Sequence, residues 1–363
     1  MMKIQEYLSL EYVMENVWEK IHYAFCDGCD NLEGGYLCIN DKYKVFAIMG
    51  FPKSVMPKEG YPAVVLVHGG AGKAYPEWVK KWTDNGYIAI APDFDGHFIN
   101  DKNENVVNDY GGPRGYGSFG ENESDNPWVY FSVLSIKKAI DFLYQQDVVN
   151  KKQIGLCGIS WGGFIGLIAA AIEKRIKATE IFYSSAFISD SEWGYNRGFK
   201  NLTKEETVEY NRNFDPQSYL KKIVCPICFL AGTDDIAFTM RNRKRTTDLI
   251  DSKKTFSYRL HFPHGHYEAW EGNEDVAFMD AEFKRKKIPN FSDAFLFTDK
   301  EYSFSVVYTE EDYKTKDCVV WQTKEYKSAA DIPKTAKSFF ITAEDEKGIK
   351  FSSDIIDNSG VQL

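Results

Sequence analysis

Residues 153–172 read QIGLCGISWGGFIGLIAAAI, and the reading of this stretch decides the fold. An apolar run of strand length, Gln153–Cys157, stops at Gly158-Ile159-Ser160-Trp161-Gly162-Gly163, and a long apolar stretch of helical character resumes at Phe164. Strand, sharp turn and helix in that order lift the central serine above the end of a sheet, at the N-terminus of a helix. The flanking glycines are needed because so tight a turn leaves no room for side chains. By composition a chain of this length shows G-x-S-x-G on the order of 0.1 times, so the motif alone is suggestive and its context makes it strong. The competing reading is a serine that merely caps a helix.

Outward from this turn, short apolar runs alternate with helical stretches, the pattern of a parallel sheet covered by helices on both faces. The runs are Ala63–Val67, Tyr87–Ala91, Gln153–Cys157, Ala178–Tyr183, Ile227–Ala231 and Ser257–Phe262. Helices are expected from Pro76 to just before Gly86, over Trp128–Gln145, directly after Ser160, and near Thr203–Arg212, Thr239–Ile250 and Tyr267–Lys287. Ahead of this lie an amphipathic helix over 3–25, with Ile4, Leu8, Tyr12 and Trp18 at helical spacing, and a hairpin over 36–51. Beyond Pro289 the sequence alternates, as in Phe304–Tyr308 and Ser338–Thr342, with a turn at Glu346-Lys347-Gly348. The expected organisation is an N-terminal extension over 1–60, a catalytic domain over 61–288 and a small β-sandwich-like domain over 289–363. Residues 100–127 lack periodicity and read as a lid or pocket rim.

A serine hydroxyl needs a base to become a nucleophile. In a sheet of this kind an acid and then a histidine follow the serine in chain order. Leu230-Ala231-Gly232-Thr233-Asp234-Asp235 ends a strand run, which brings a carboxylate to the top of the sheet, where ligands bind. His261, His264 and His266 follow the next run. His261 falls within the run and reads as structural. His266 is preferred as the base because Gly265 frees the loop to turn inward, with His264 as the alternative; Asp235 is preferred over Asp234. His68-Gly69-Gly70-Ala71-Gly72 follows the strand AVVLV. Its backbone N–H near Gly70 or Ala71, with that of Trp161, suits an oxyanion, and His68 reads as a residue holding that loop. Tyr183, Trp161 and Trp193 are candidate pocket walls, although large aromatics serve equally in a core.

The balance of the chain excludes other classes. A net charge of −9 argues against nucleic acid as a partner. Glu6, Glu11 and Glu15 break any secretory apolar stretch, and no run approaches a membrane span, so the expectation is a cytoplasmic protein. Cys26/Cys29 and Cys225/Cys228 have zinc-like spacing. However, Cys225 and Cys228 open a strand, where residues three apart face opposite sides, and reduced cysteines are the simpler reading. Asp93-Phe94-Asp95-Gly96-His97 reads as an ordinary loop, His22 as a surface or packing histidine, and Arg241–Arg245 as a solvated helix face. No metal or cofactor is called for.

Together HGGAGKAYPEWVKKWTDNGYIAIAPDFDG, QIGLCGISWGGFIGLIAA, FDPQSYL, AGTDDIAF and FPHGH resemble the acetyl xylan esterase-like and dienelactone hydrolase-like branch of the α/β-hydrolases, near the prolyl oligopeptidases. The likeness runs over roughly residues 60–285. It implies an α/β-hydrolase fold and hydrolysis of carboxylic esters, often acetyl groups on sugars, and it puts the acid three residues past Gly232, at Asp235. Where the family usually has HGGGG, Ala71 replaces one glycine. The expectation is a serine carboxylesterase acting on a small acyl ester, with Ser160, His266 and Asp235 as its triad. The alternatives are a prolyl oligopeptidase-type peptidase and a non-catalytic carbohydrate-binding scaffold. A homo-oligomer stays open.

Overall fold

The computed structural model describes residues 18–21, 25, 29–39, 44–94, 97–99, 105–107, 128–289, 291 and 301–358. The strands are β1 (Trp18–Lys20), β2 (Leu32–Cys38), β3 (Lys44–Gly50), β4 (Tyr61–Val67), β5 (Ile88–Pro92), β6 (His97–Ile99), β7 (Asn105–Val107), β8 (Val149–Ile159), β9 (Ala178–Phe182), β10 (Ile227–Gly232), β11 (Lys254–Arg259), β12 (Tyr302–Thr309), β13 (Gln322–Glu325), β14 (Ser338–Asp345), β15 (Lys350–Ser352) and β16 (Ile356–Asp357). The helices are α1 (Pro76–Asp84), α2 (Trp128–Gln145), α3 (Trp161–Ile172), α4 (Glu192–Arg197), α5 (Lys204–Asn213), α6 (Met240–Asp248), α7 (His266–Glu271) and α8 (Glu274–Phe283).

One sheet takes all of these strands except β6 and β7, which form a separate hairpin. Its order is β1-β2-β3-β5-β4-β8-β9-β10-β11-β15-β14-β12-β13, with β16 beside β14. The six strands β5, β4, β8, β9, β10 and β11 are parallel, and the strands beyond them on both sides are antiparallel. The chain runs from β4 outward to β5, then returns to place β8 on the other side of β4. That reversal opens a crevice at the C-terminal ends of β4 and β8, where ligands bind in sheets of this type.

Each central strand is buried on both faces, which is why the runs read as continuous apolar segments. In β4, Ala63, Val65 and Val67 face the core shared with α2 and α3, while Val64 and Leu66 face the core shared with α1 and α8. Helix α1 opens with Pro76 at its first turn and is followed by Gly86 at φ 81°. The expected helix over Tyr267–Lys287 is two helices, because the chain breaks at Gly272-Asn273 between α7 and α8.

Two expectations about organisation differ from the structure. Trp18, read as part of a helix, lies in β1, where it pairs with Leu37; residues 3–17 of that expected helix and His22 fall outside the described residues. The C-terminal strands do not close into a separate sandwich. They continue the central sheet through β11 and β15, where Phe256 pairs with Ser352. The side chain of Phe340 in β14 packs on Tyr258 and Trp321, with ring centroids 5.8 and 5.5 Å apart, within the main core. Local alternation is the same in a sandwich and in an extension of a sheet, so periodicity cannot separate them.

This continuity has a measurable consequence. Phe340→Ala removes a fully buried ring and is expected to cost about 3 to 5 kcal/mol. Thermal unfolding followed by tryptophan fluorescence and by far-UV circular dichroism should show one shared transition at lower temperature. Two separated transitions would mean that the C-terminal strands fold apart from the rest.

Candidate active site

Strand β8 ends at Ile159 and α3 begins at Trp161, so Ser160 alone makes the turn. Its backbone sits at φ 55°, ψ −118°, a conformation that is strained for a non-glycine residue. The turn is held because Ser160 N–H donates to Phe182 O at 2.9 Å and because the flanking glycines lack Cβ atoms. A Cβ on Gly162 would collide with the carbonyl oxygens of Val67 and His68, and one on Gly158 with the backbone of Gly162. The Ser160 side chain makes no cap to α3, which removes the reading of it as a helix cap.

His264 stands beside it. His264 Nε2 is 2.8 Å from Ser160 Oγ and Nδ1 is 3.0 Å from Asp235 Oδ2. One tautomer satisfies both contacts: Nδ1–H donates to the carboxylate, and Nε2 accepts from the hydroxyl. Asp235 lies just past the end of β10 and is 6% exposed. Its Oδ1 accepts from the N–H groups of Ala237 and Phe238, each at 3.0 Å. Its Oδ2 also receives Arg243 Nη2 at 3.3 Å.

The structure therefore brings together Ser160 and Asp235, as expected, but with His264 rather than His266. The peptide of Gly69 explains the difference. His266 Nε2 accepts the Gly69 N–H at 3.0 Å, and a Cβ on Gly69 would lie 2.9 Å from that nitrogen and 3.0 Å from Ser160 Cβ. Gly69 thus stands between His266 and Ser160. Gly265 is extended, at φ −150° and ψ 163°, so the expected inward turn at this glycine is not made, and the second histidine lies behind the glycine loop.

Asp234 points away from Ser160, to the Nδ1 of His261 at the rim. His261 was expected within a strand; β11 ends at Arg259, and His261 lies exposed in the loop at φ 52°. Tyr183 is not a pocket wall. It is 1% exposed, its ring lies 4.9 Å from that of His264, and its hydroxyl donates to Gly265 O at 2.7 Å. It braces the histidine loop from beneath, and burial pushes its phenol well above the usual range.

Arg243 is the residue that sequence reasoning missed. The run RNRKR was expected to face solvent, yet Arg243 is fully buried, with Nη2 on Asp235 and on Phe238 O at 2.6 Å. Burial lowers its pKa while the Asp235 charge opposes the shift. The available signal was the spacing Met240, Arg243, Thr247, Ile250, which shares one helix face; all four are buried.

Above Ser160 opens a cavity of about 490 Å³. Gly70, Ala71, Trp161 and Trp193 line it beside Asp235 and His264. Ala71 adopts φ 55°, the left-handed conformation that a glycine at this position would take without strain. Neither Gly70 nor Ala71 donates its N–H to another described residue. The Trp161 N–H belongs to the first turn of α3, directly after the Ser160 elbow. His68 holds the loop as expected: its Nδ1 donates to Gly69 O at 2.7 Å and its Nε2 accepts from Phe94 N–H at 2.9 Å. Asp93 accepts the Ala74 N–H at 3.2 Å. Among the described residues there is no cluster able to hold a metal ion, and no helix is long and apolar enough to cross a membrane.

A sheet whose six central strands are parallel, with an elbow serine at its switch point, defines an α/β-hydrolase. The chain belongs to the dienelactone hydrolase family, whose model matches residues 47–267. It is 23% identical over 208 residues to acetyl esterase Axe7A of Xylanibacter ruminicola, covering 53% of this chain and 46% of that protein; it thus spans about half the length of the curated relative it matches. Among solved structures it is similar to an acetyl xylan esterase from Paenibacillus sp. R4, with a TM-score of 0.61, 18% identity and coverage of 73% and 88% of the two chains. It is also similar to an acylaminoacyl peptidase from Pyrococcus horikoshii, with a TM-score of 0.51, 14% identity and coverage of 75% and 43%.

Removing the Arg243 cation should be felt at once. Arg243→Met leaves Asp235 buried without its charge partner and is expected to lower stability by about 3 to 5 kcal/mol, read by urea unfolding. A loss within about 0.5 kcal/mol would mean that the pair contributes nothing.

Proposed function

We propose that this chain is a serine carboxylesterase that hydrolyses small acyl esters, acetyl esters first among them, carried on a carbohydrate. One observation carries the reading: an imidazole in contact with both the Ser160 hydroxyl and a buried carboxylate. In this mechanism Ser160 Oγ attacks the ester carbonyl as His264 Nε2 takes its proton. Asp235 holds the imidazole in the required tautomer and stabilises its cation. The N–H of Trp161 and that of Gly70 or Ala71 receive the oxyanion. His264 returns the proton to the departing alcohol. Water, deprotonated by the same imidazole, then releases the acid from the acyl-enzyme.

The size and lining of the cavity support this choice of substrate class. About 490 Å³ beside the rings of Trp161 and Trp193, whose centroids are 6.0 Å apart, suits a short acyl group, with an aromatic surface on which a sugar face can stack. The acetyl esterase name of the curated relative agrees with this choice.

The test compares wild type, Ser160→Ala and His264→Ala on p-nitrophenyl acetate, p-nitrophenyl butyrate, an acetylated xylo-oligosaccharide and a peptide p-nitroanilide. We expect preference for acetate, acetate release from the oligosaccharide, and a loss of about a thousandfold or more in kcat for each variant. Faster cleavage of the anilide would favour a peptidase. Inertness on all four, with no labelling of Ser160 by an organophosphonate, would favour a binding scaffold.

A further inference from the structure

His266 is not used in the mechanism above, yet it is built into the site with care. It opens α7 and sits against an aromatic stack: its ring lies 5.3 Å from that of Tyr75, which lies 4.9 Å from Trp270, which in turn stacks on Trp78 at 5.2 Å. Its Nε2 accepts the Gly69 N–H at 3.0 Å. The carbonyl of the same residue is held from the other direction, by His68 Nδ1 at 2.7 Å and by the Gly72 N–H at 3.1 Å. Gly69 is thus gripped at its N–H and at its C=O by two imidazoles. Immediately after it come Gly70 and Ala71, the two residues of this loop that line the cavity.

Two glycines make the grip possible. A Cβ on Gly69 would lie 2.9 Å from His266 Nε2, and one on Gly72 would lie 2.6 Å from it. Such approaches cannot be relieved by moving a flexible chain end, because the imidazole is wedged between the loop and Tyr75. The glycines are therefore required for contact with His266 as much as for the turn itself.

We propose that His266 is a positioning residue for the oxyanion loop: its neutral imidazole takes the Gly69 N–H and so fixes the peptides of Gly70 and Ala71 against the carbonyl oxygen of an ester at Ser160. The inference rests on the esterase reading. A protonated imidazole has no acceptor at Nε2, so the grip needs the uncharged ring. Burial keeps the pKa of His266 below the usual 6.5. Of the charged and titratable groups facing it, Glu268 on α7 favours the cation and His264 opposes it, while Tyr75 and His68 pack from the glycine-loop side. The sign follows: the ring is neutral above pH 6.5, and the grip is lost only as pH falls through the depressed value.

His266→Gln and His266→Met form the deciding pair. Both are close to histidine in reach, but only glutamine offers an oxygen to the Gly69 N–H. With the full chain and p-nitrophenyl acetate, His266→Met is expected to lower kcat by about 10- to 100-fold with KM within about twofold. His266→Gln should recover most of that loss. The acid limb of wild-type kcat should steepen beyond a single ionisation at its low end, and His266→Gln should show a single one. NMR of the wild-type ring should report Nδ1–H with Nε2 unprotonated.

Equal kcat for His266→Met and wild type, or equal losses in both variants, would overturn the proposal while leaving the esterase reading intact. A wild type inert on every ester would overturn both. If His266→Met does not fold, the wild-type acid limb and the ring tautomer decide, and an Nε2–H tautomer overturns the proposal.

Discussion

Everything at the top of this sheet depends on one close approach of backbones. Helix α3 starts so near the end of β4 that Gly162 lies against the carbonyl oxygens of Val67 and His68. That contact sets Ser160 at φ 55°, directs its hydroxyl out of the sheet, and puts the first turn of α3 beside the glycine loop that follows β4. A single methyl group at residue 162 would push the helix away and separate the serine from the loop. The strain at Ser160 persists because β8, β9 and β4 over-determine the position of the turn, with Ser160 N–H tied to Phe182 O.

The parts of the molecule that were legible in the sequence are those with a local cause. The central strands read as continuous apolar runs because both of their faces are covered. The elbow read through its glycines, and the strand end put a carboxylate at the top of the sheet, while the choice of Asp235, three residues past Gly232, came from the family resemblance. The histidine was not legible, because His264 and His266 flank a single glycine, one in the loop and one at the start of α7. Which of them reaches Ser160 is decided by Gly69, almost two hundred residues earlier in the chain. Arg243 was hidden for a different reason. Its helix buries the polar Asn242, Arg243, Thr246 and Thr247 between the apolar Met240 and Ile250, so apolar periodicity marks that face only at its two ends. The C-terminal strands were read correctly as strands, but their partner was not, since pairing of β15 with β11 is a long-range event that alternation does not encode.

The site is also arranged so that buried charges answer one another. Asp235 is met by two backbone N–H groups, a guanidinium and an imidazole, which uses both of its oxygens and fixes its direction. Tyr183 fixes the other side of the same imidazole by gripping Gly265 O. His264 is thereby held by neighbours that follow β8, β9 and β10, which is how a loop side chain gains the precision of one carried on a strand. The exposed Asp234–His261 pair one step outward repeats the residue types without the burial.

Among the described residues the sheet stays open, and its edge at β13 is built for solvent. Gln322-Thr323-Lys324-Glu325 are exposed throughout, while the strand they cover, β12, carries Val306, Val307 and Tyr308. Long or branched side chains and two opposite charges make a poor template for another chain, whereas a bare β12 would offer an apolar edge with open hydrogen-bonding groups. The short strand β13 therefore acts as a selvedge. Its loss would leave the pocket untouched and the fold largely intact, and would be felt first as proteins adhering to one another in concentrated solution.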